Sequence, residues 1–369
     1  MKVTLIRARA IAVPIDIGKW AKTLGESGYS VKLLVWDREG KRGTEGSDGY
    51  TICRFGFKAP HDKLTILFYL PVWWAYEFFF LLREDSDVIH AFNLDTLIPA
   101  LFVKLVKRVK LCYTIYDFYA DILPEQVPGV IRKCVASIEK FGIRFTDILF
   151  LVDETRYEQV RGARINKVVY IYNSPYDYFN PQIVSRSASE VIIFHAGFIL
   201  KTRGLDHMAS AIRDLDGIKL VIAGVGPDKD VLDQAILQSN FQYIGRIPYE
   251  EVIRRTLEAD ILFAFYDLKI PNNKLASPTK LFEAMMCAKP IIVNEGTTAN
   301  TIVAEEKCGL AVPYGDVEAI REAVVKLKND ANLRQALGNN GRRAYETHYS
   351  WEIMRNRLIN AYDELAKSA

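Results

Sequence analysis

The chain has 369 residues, 50% of them hydrophobic and 25% charged, with a formal net charge of +3. That length exceeds what one core usually carries, so two domains are expected, and a balance so near neutrality without a dense Lys/Arg run excludes a nucleic-acid partner as the organising feature. Cys53, Cys112, Cys134, Cys287 and Cys308 are scattered, with no C-x-x-C pair and no histidine at ligand spacing, which points to reduced thiols and excludes a disulfide framework.

Residues 3–6 read as a short apolar strand, after which Arg7 and Arg9 interrupt any signal-peptide core, so a cytoplasmic location is expected. Residues 16–27 carry Trp20 and Leu24 one helical turn apart, Gly28 supplies a helix stop, and residues 31–35 form the next strand. The apolar run 64–82 is close to the ~20 residues that span a bilayer, but Pro71 and Glu77 favour a buried or interfacial helix. Buried-type strands at 88–91, 111–115, 148–152 and 168–172, with helical patterns between them, imply a parallel sheet covered on both faces. After a stretch rich in Asn, Pro and Ser the alternation restarts at 191–196, 220–223, 241–244, 261–265 and 290–293. The expected organisation is α/β, with doubly wound domains over 1–175 and 190–345, a linker at 176–189 and a terminal segment at 346–369. In such sheets ligands bind beyond the carboxyl ends of the strands, so the cleft between the domains is the expected site.

Three strand-to-helix turns of the second half suit an anion. The segment from His195 to Gly204 places Gly197 and the cations Lys201 and Arg203 beside a helix start, where unpaired N–H groups and the helix dipole favour a phosphate. Gly224-Val225-Gly226 ends the next strand, although G-x-G also arises for purely geometric reasons. In Ser277-Pro278-Thr279-Lys280-Leu281-Phe282-Glu283 the serine is expected as N-cap and the proline as first helical residue. Lys280 and Glu283 then share one face, an ammonium for a diphosphate and a carboxylate one turn deeper for a diol such as ribose. A plain surface helix with an i,i+3 pair carries the same letters.

With Arg203-Gly204-Leu205-Asp206, Gly224-Val225-Gly226, Tyr243-Ile244-Gly245-Arg246, and Ser277 to Met285 followed by Ala288-Lys289-Pro290-Ile291-Ile292, the second half resembles family 4 of the retaining glycosyltransferases. The order and spacing match over about a third of the chain. Tyr116 to Asp121 and His348-Tyr349-Ser350-Trp351-Glu352 extend the likeness more loosely to the rest. The resemblance implies a GT-B fold: two Rossmann-like domains facing across a cleft, the C-terminal helix crossing back to the first. It also implies sugar transfer, with retention, from a nucleotide-diphosphate sugar to a glycan or lipid-linked acceptor, without metal or cofactor. Tyr119, Arg203, Lys280 and Glu283 are its catalytic candidates, and Gly197, Gly224, Gly226, Gly245, Arg246, Ser277, Pro278 and Thr279 join the last three around the donor. Glu283 would hold the ribose hydroxyls; Lys280 and Arg203 would face the diphosphate.

Departures qualify that picture. Phe198 stands where many members place an arginine, Leu275 where a second glutamate is common, and Tyr119 near the usual histidine. A phenol with a pKa of about 10 is a poor base yet can donate a hydrogen bond, and a packed aromatic is the plainer reading of Tyr119. A sugar-nucleotide-binding subunit without activity, or another GT-B enzyme such as an epimerase, is the alternative. His90 and His195, at predicted strand ends, are expected to be structural. Asp85-Ser86-Asp87 and Asp214-Leu215-Asp216 precede strands, the wrong end for ligand chemistry. Finally, the aromatic run 64–82 with Trp73 and Trp74, and the cluster Lys104, Lys107, Arg108 and Lys110 within 104–110, suggest peripheral contact with a membrane surface.

Overall fold

A computed structural model describes residues 1–9, 15–60, 65–123, 126–180 and 190–367. Ala10 to Ala12, Leu64 and residues 181–189 of the expected linker lie outside the described residues. The chain divides into two compact units, Met1–Tyr172 with Met354–Ala369, and Asn173–Ile353.

The first unit holds β1 (Lys2–Arg7), β2 (Ser30–Asp37), β3 (Gly43–Ser47), β4 (Tyr50–Gly56), β5 (Val88–Phe92), β6 (Lys110–Ile115), β7 (Ile148–Leu151) and β8 (Val168–Tyr170). They lie in the order β3-β4-β2-β1-β5-β6-β7-β8, all parallel except the β3–β4 hairpin. Strand β5, Val-Ile-His-Ala-Phe, is buried at every position, as a central strand covered on both faces must be. Trp20, from the helix Ile15–Glu26, packs edge-on against His90, Phe92 and Phe150. From the helix Trp351–Lys367, Tyr362 meets His90 Nδ1 at 2.6 Å while Thr114 meets Nε2 at 2.6 Å, so both ring nitrogens are satisfied. His90 is structural.

The run expected at 64–82 is a short 3-10 turn, Thr65–Phe68, and a helix, Leu70–Arg83. Trp73 is fully buried and stacks on Trp36 at 5.6 Å. The indole N–H groups of Trp73 and Trp74 both donate to the Asp95 carbonyl, at 3.2 and 3.0 Å. These two rings therefore face inward, because each has a polar handle that finds a partner in the core.

The second unit holds β9 (Val191–Phe198), β10 (Ile218–Val225), β11 (Phe241–Tyr243), β12 (Ile261–Ala264), β13 (Ile291–Asn294) and β14 (Gly309–Val312), in the order β11-β10-β9-β12-β13-β14 and all parallel. From β9 the chain winds outward through β10 and β11, then returns to the other side for β12, β13 and β14. The winding reverses between β9 and β12, and such a switch point leaves a crevice at the carboxyl ends of the strands. Register shows the opening directly: β9 stays paired with β10 as far as Phe198↔Val225, but its pairing with β12 ends at Phe194↔Leu262. The two aspartate pairs lie at the opposite ends of their strands, with Asp87 accepting the Lys2 backbone N–H at 2.6 Å and Asp214 in a left-handed turn before β10.

Candidate functional site

Where β9 and β12 part, a cavity of about 230 Å³ is lined by His195 and Phe198 from β9, by Arg203, by Ala264 to Tyr266, and by Ser277 to Lys280. Lys280 reaches it because Gly197 has no side chain: a Cβ there would lie 2.6 Å from the ammonium nitrogen. Arg203, in the turn Lys201–Arg203, lays its guanidinium over the Tyr266 ring at 3.9 Å, and its Nη1 is buried without a hydrogen-bond partner among the described residues. Among the described residues neither cation forms an ion pair with a carboxylate. Two positive groups held without a carboxylate partner at a cavity wall suit the cavity to an anion.

The helix Thr279–Met286 begins at the same wall. Pro278, not Ser277, is its N-cap residue, with φ −75° and ψ 131°, and it offers no side-chain acceptor. The expected cap is displaced because Ser277 is drawn inward, buried, with its carbonyl accepting Asn173 Nδ2 at 3.2 Å. The first N–H groups of the helix are thus left without a side-chain cap, beside the two cations. Glu283 sits a turn deeper and buried, outside the cavity wall. Burial first, and then the Glu283 carboxylate, push the Tyr249 phenol up.

The glycine turns serve packing before they serve a ligand. A Cβ on Gly224 would fall 1.7 Å from the Gly197 carbonyl oxygen, and one on Gly226 would fall 2.0 Å from that of Ile199, so both residues exist to let β10 lie close to β9. Gly245 adopts φ +69° in open space, its carbonyl accepting the Gly224 N–H at 2.7 Å. Arg246 is exposed and does not line the cavity, and neither does Leu275, which ends the short helix Pro271–Lys274. Thr279 is exposed at the helix start, and Phe198 presents an apolar, half-exposed ring.

His195 is the residue that sequence reasoning set aside. It is 2% exposed, its Nδ1 lies 3.3 Å from the Phe263 carbonyl, and its Nε2 is buried with no partner among the described residues. Burial, reinforced by the charges of Lys280 and Arg203, holds its imidazole well below the usual histidine range. The available signal was its position at the end of the strand before the switch point; the plainer structural reading masked it.

Tyr119 belongs to a polar knot in the first unit. Its hydroxyl hydrogen-bonds the Asp95 carboxylate and its backbone N–H donates to Glu139 Oε2 at 3.2 Å, while Tyr113 donates to Glu139 Oε1 at 2.6 Å. Burial, then the Asp95 charge, pushes the Tyr119 phenol well above its ordinary value, and burial raises the Glu139 carboxyl to about 8. A phenol so held is a hydrogen-bond donor already committed to the protein, not a base.

Two Rossmann-like units of this build define a protein of the GT-B class. Residues 179–344, within the second unit, match the family model of glycosyl transferases group 1. The chain is similar to the uncharacterized glycosyltransferase MJ1178 of Methanocaldococcus jannaschii, 24% identical over 62% of each chain. It is also 24% identical to the capsular polysaccharide biosynthesis glycosyltransferase CapM of Staphylococcus aureus, over 48% of this chain and 47% of that one. The alignments therefore span less than two thirds of these relatives. In fold it is similar to Anabaena Alr3699/HepE, solved in complex with UDP-glucose, with a TM-score of 0.74, 13% identity, and coverage of 99% of this chain and 100% of that one.

Proposed function

We propose that the protein transfers a sugar, with retention of configuration and without a metal ion, from a nucleotide-diphosphate sugar to a glycan or lipid-linked acceptor. The observation that carries this reading is the pairing of Lys280 and Arg203, without carboxylate partners, at a switch-point cavity against an uncapped helix start. A diphosphate supplies the missing negative charge, and the UDP-glucose complex of the structural relative supports that class of ligand. Glu283, buried one turn deeper, takes the ribose hydroxyls, which need an acceptor-only group. As the glycosidic bond breaks, the cations and helix N–H groups stabilise the charge that develops on the leaving diphosphate, and that diphosphate helps deprotonate the acceptor on the same sugar face. The protein contributes positioning and electrostatics; no carboxylate nucleophile is invoked.

CapM supports a glycan product, and the apolar surface of the first unit supports an acceptor presented at a membrane, with the protein peripheral on its cytoplasmic face. The test is incubation of the protein with radiolabelled UDP- and GDP-sugars and candidate lipid-linked and free glycan acceptors, in the presence of EDTA. Labelled product carrying the donor's anomeric configuration is expected. Tight donor binding with no product from any acceptor would favour a binding subunit, and loss of activity restored by magnesium would overturn the metal-free reading.

A further inference from the structure

We propose that His195 contacts the donor diphosphate and takes up one proton as the donor binds, becoming a third cationic hydrogen-bond donor in a pocket where Phe198 offers none. The inference rests on the reading of the switch-point cavity as the donor site. Its geometry comes from the two ring nitrogens. Nδ1 faces the Phe263 carbonyl at 3.3 Å, and a carbonyl only accepts, so Nδ1 carries the hydrogen of the neutral ring. Nε2 is then a bare lone pair, buried, on a residue that lines the cavity, and unlike both nitrogens of His90 it has no partner among the described residues. Buried side-chain nitrogens are as a rule hydrogen-bonded, as both of His90 are.

The charged groups that act on His195 are Lys280, from the helix Thr279–Met286, and Arg203, from the turn before the helix Leu205–Ala211; both are positive, and among the described residues no acid acts on the ring. With the cavity empty of anions these charges oppose protonation. A diphosphate reverses the sign of the local field, and its oxygens are acceptors, so the neutral Nε2 would meet them lone pair to lone pair. One proton from solvent, bound at Nε2, converts that repulsion into a charge-assisted hydrogen bond; no other bond forms or breaks. Phe198 cannot provide this contact, and His195, three residues earlier on β9, supplies it from the same wall.

The test is calorimetry of the intact protein with UDP-glucose and GDP-mannose, whose diphosphate diesters do not titrate near neutrality, in buffers of differing ionisation enthalpy between about pH 6.5 and 8.5. Expected is an uptake approaching one proton per donor bound, with affinity falling as pH rises, by up to about tenfold per unit. In His195→Gln the uptake vanishes and the affinity loses its pH dependence. Nitrogen NMR of the wild-type imidazole gives a readout independent of any variant: the free protein shows the Nδ1–H tautomer and the complex shows the imidazolium. Donor binding without proton uptake, or uptake that persists in His195→Gln, overturns the proposal while leaving the donor site intact. Failure of the wild type to bind any nucleotide sugar would instead overturn the donor-site reading, and this inference with it.

Discussion

Lys280 and Gly197 act as a pair, since the ammonium occupies the space that any other side chain at 197 would fill. If both cations hold the diphosphate, Lys280→Ala and Arg203→Ala should each weaken nucleotide-sugar affinity by about 1.5–3 kcal/mol, the range of a charge-assisted hydrogen bond. Nucleoside affinity should hardly change. Gly197→Ala should mimic Lys280→Ala without unfolding the protein, because the atom it displaces is the flexible end of a lysine. Calorimetry that found all three variants binding like the wild type would remove these residues from the site. The lysine and the glycine were legible in the sequence as members of two motifs. Their contact was not, since residues 83 apart in number meet only once β9 and the helix Thr279–Met286 are folded. The same limit applies to His195, whose orphaned nitrogen is a fact of surroundings and has no signature in the letters around it.

At the scale of elements, the sequence was most legible where one physical cause dominates. Buried parallel strands announce themselves as β-branched runs, and β1, β2, β5, β6 and β9 lie where those runs stand. Strand β3, Gly-Thr-Glu-Gly-Ser, is exposed at every position and has no apolar alternation, so nothing in its pattern separates it from a loop; its hairpin with β4 forms it. The helix Gly129–Ile143 escaped for the opposite reason, because its apolar positions face outward. The glycines of the second turn show how an element-level cause can resemble a ligand motif. Since a Cβ on Gly224 would collide with the backbone of β9, Gly224→Ala should destabilise the second unit, by about 1–3 kcal/mol as in other overpacked cores, whether or not a donor is present. Thermal melts would check this; an unchanged melting temperature together with lost donor binding would show that the glycine serves the ligand directly.

For the molecule as a whole, the proposed membrane-presented acceptor calls for a docking surface, and the exposed apolar residues of the first unit are the place to test for one. Among the described residues no helix is long and apolar enough to cross a membrane. Trp73 and Trp74 face the core, and Lys104 and Lys107 are engaged, one with Asp147 and the other with carbonyls at the end of the helix Leu70–Arg83. The exposed apolar groups lie elsewhere: Phe79 on that helix, Phe102, Leu105 and Val106 on the helix Leu94–Lys107, and a stripe on Gly129–Ile143. In the stripe Ile131, Cys134, Ile138 and Phe141 recur at spacings of three and four, the period of one helical face, and Phe145 stands just past the helix end. The only acid of that helix, Glu139, points into the core, whereas Lys133, Lys140 and Arg144 flank the stripe, Arg144 stacking over Phe141 and Phe145. An apolar stripe with basic flanks matches an anionic bilayer surface, where each cation contributes about 1 kcal/mol. The protein should therefore sediment with vesicles containing phosphatidylglycerol and not with neutral ones, and high salt should release it. Ile138→Ser with Phe141→Ser should abolish sedimentation, as should Lys133→Glu with Lys140→Glu, with donor affinity unchanged in both. Concentration-dependent dimerisation in gel filtration, lost in the same serine variant and without vesicle binding, would instead make the stripe a contact between copies of the chain and sink the membrane reading.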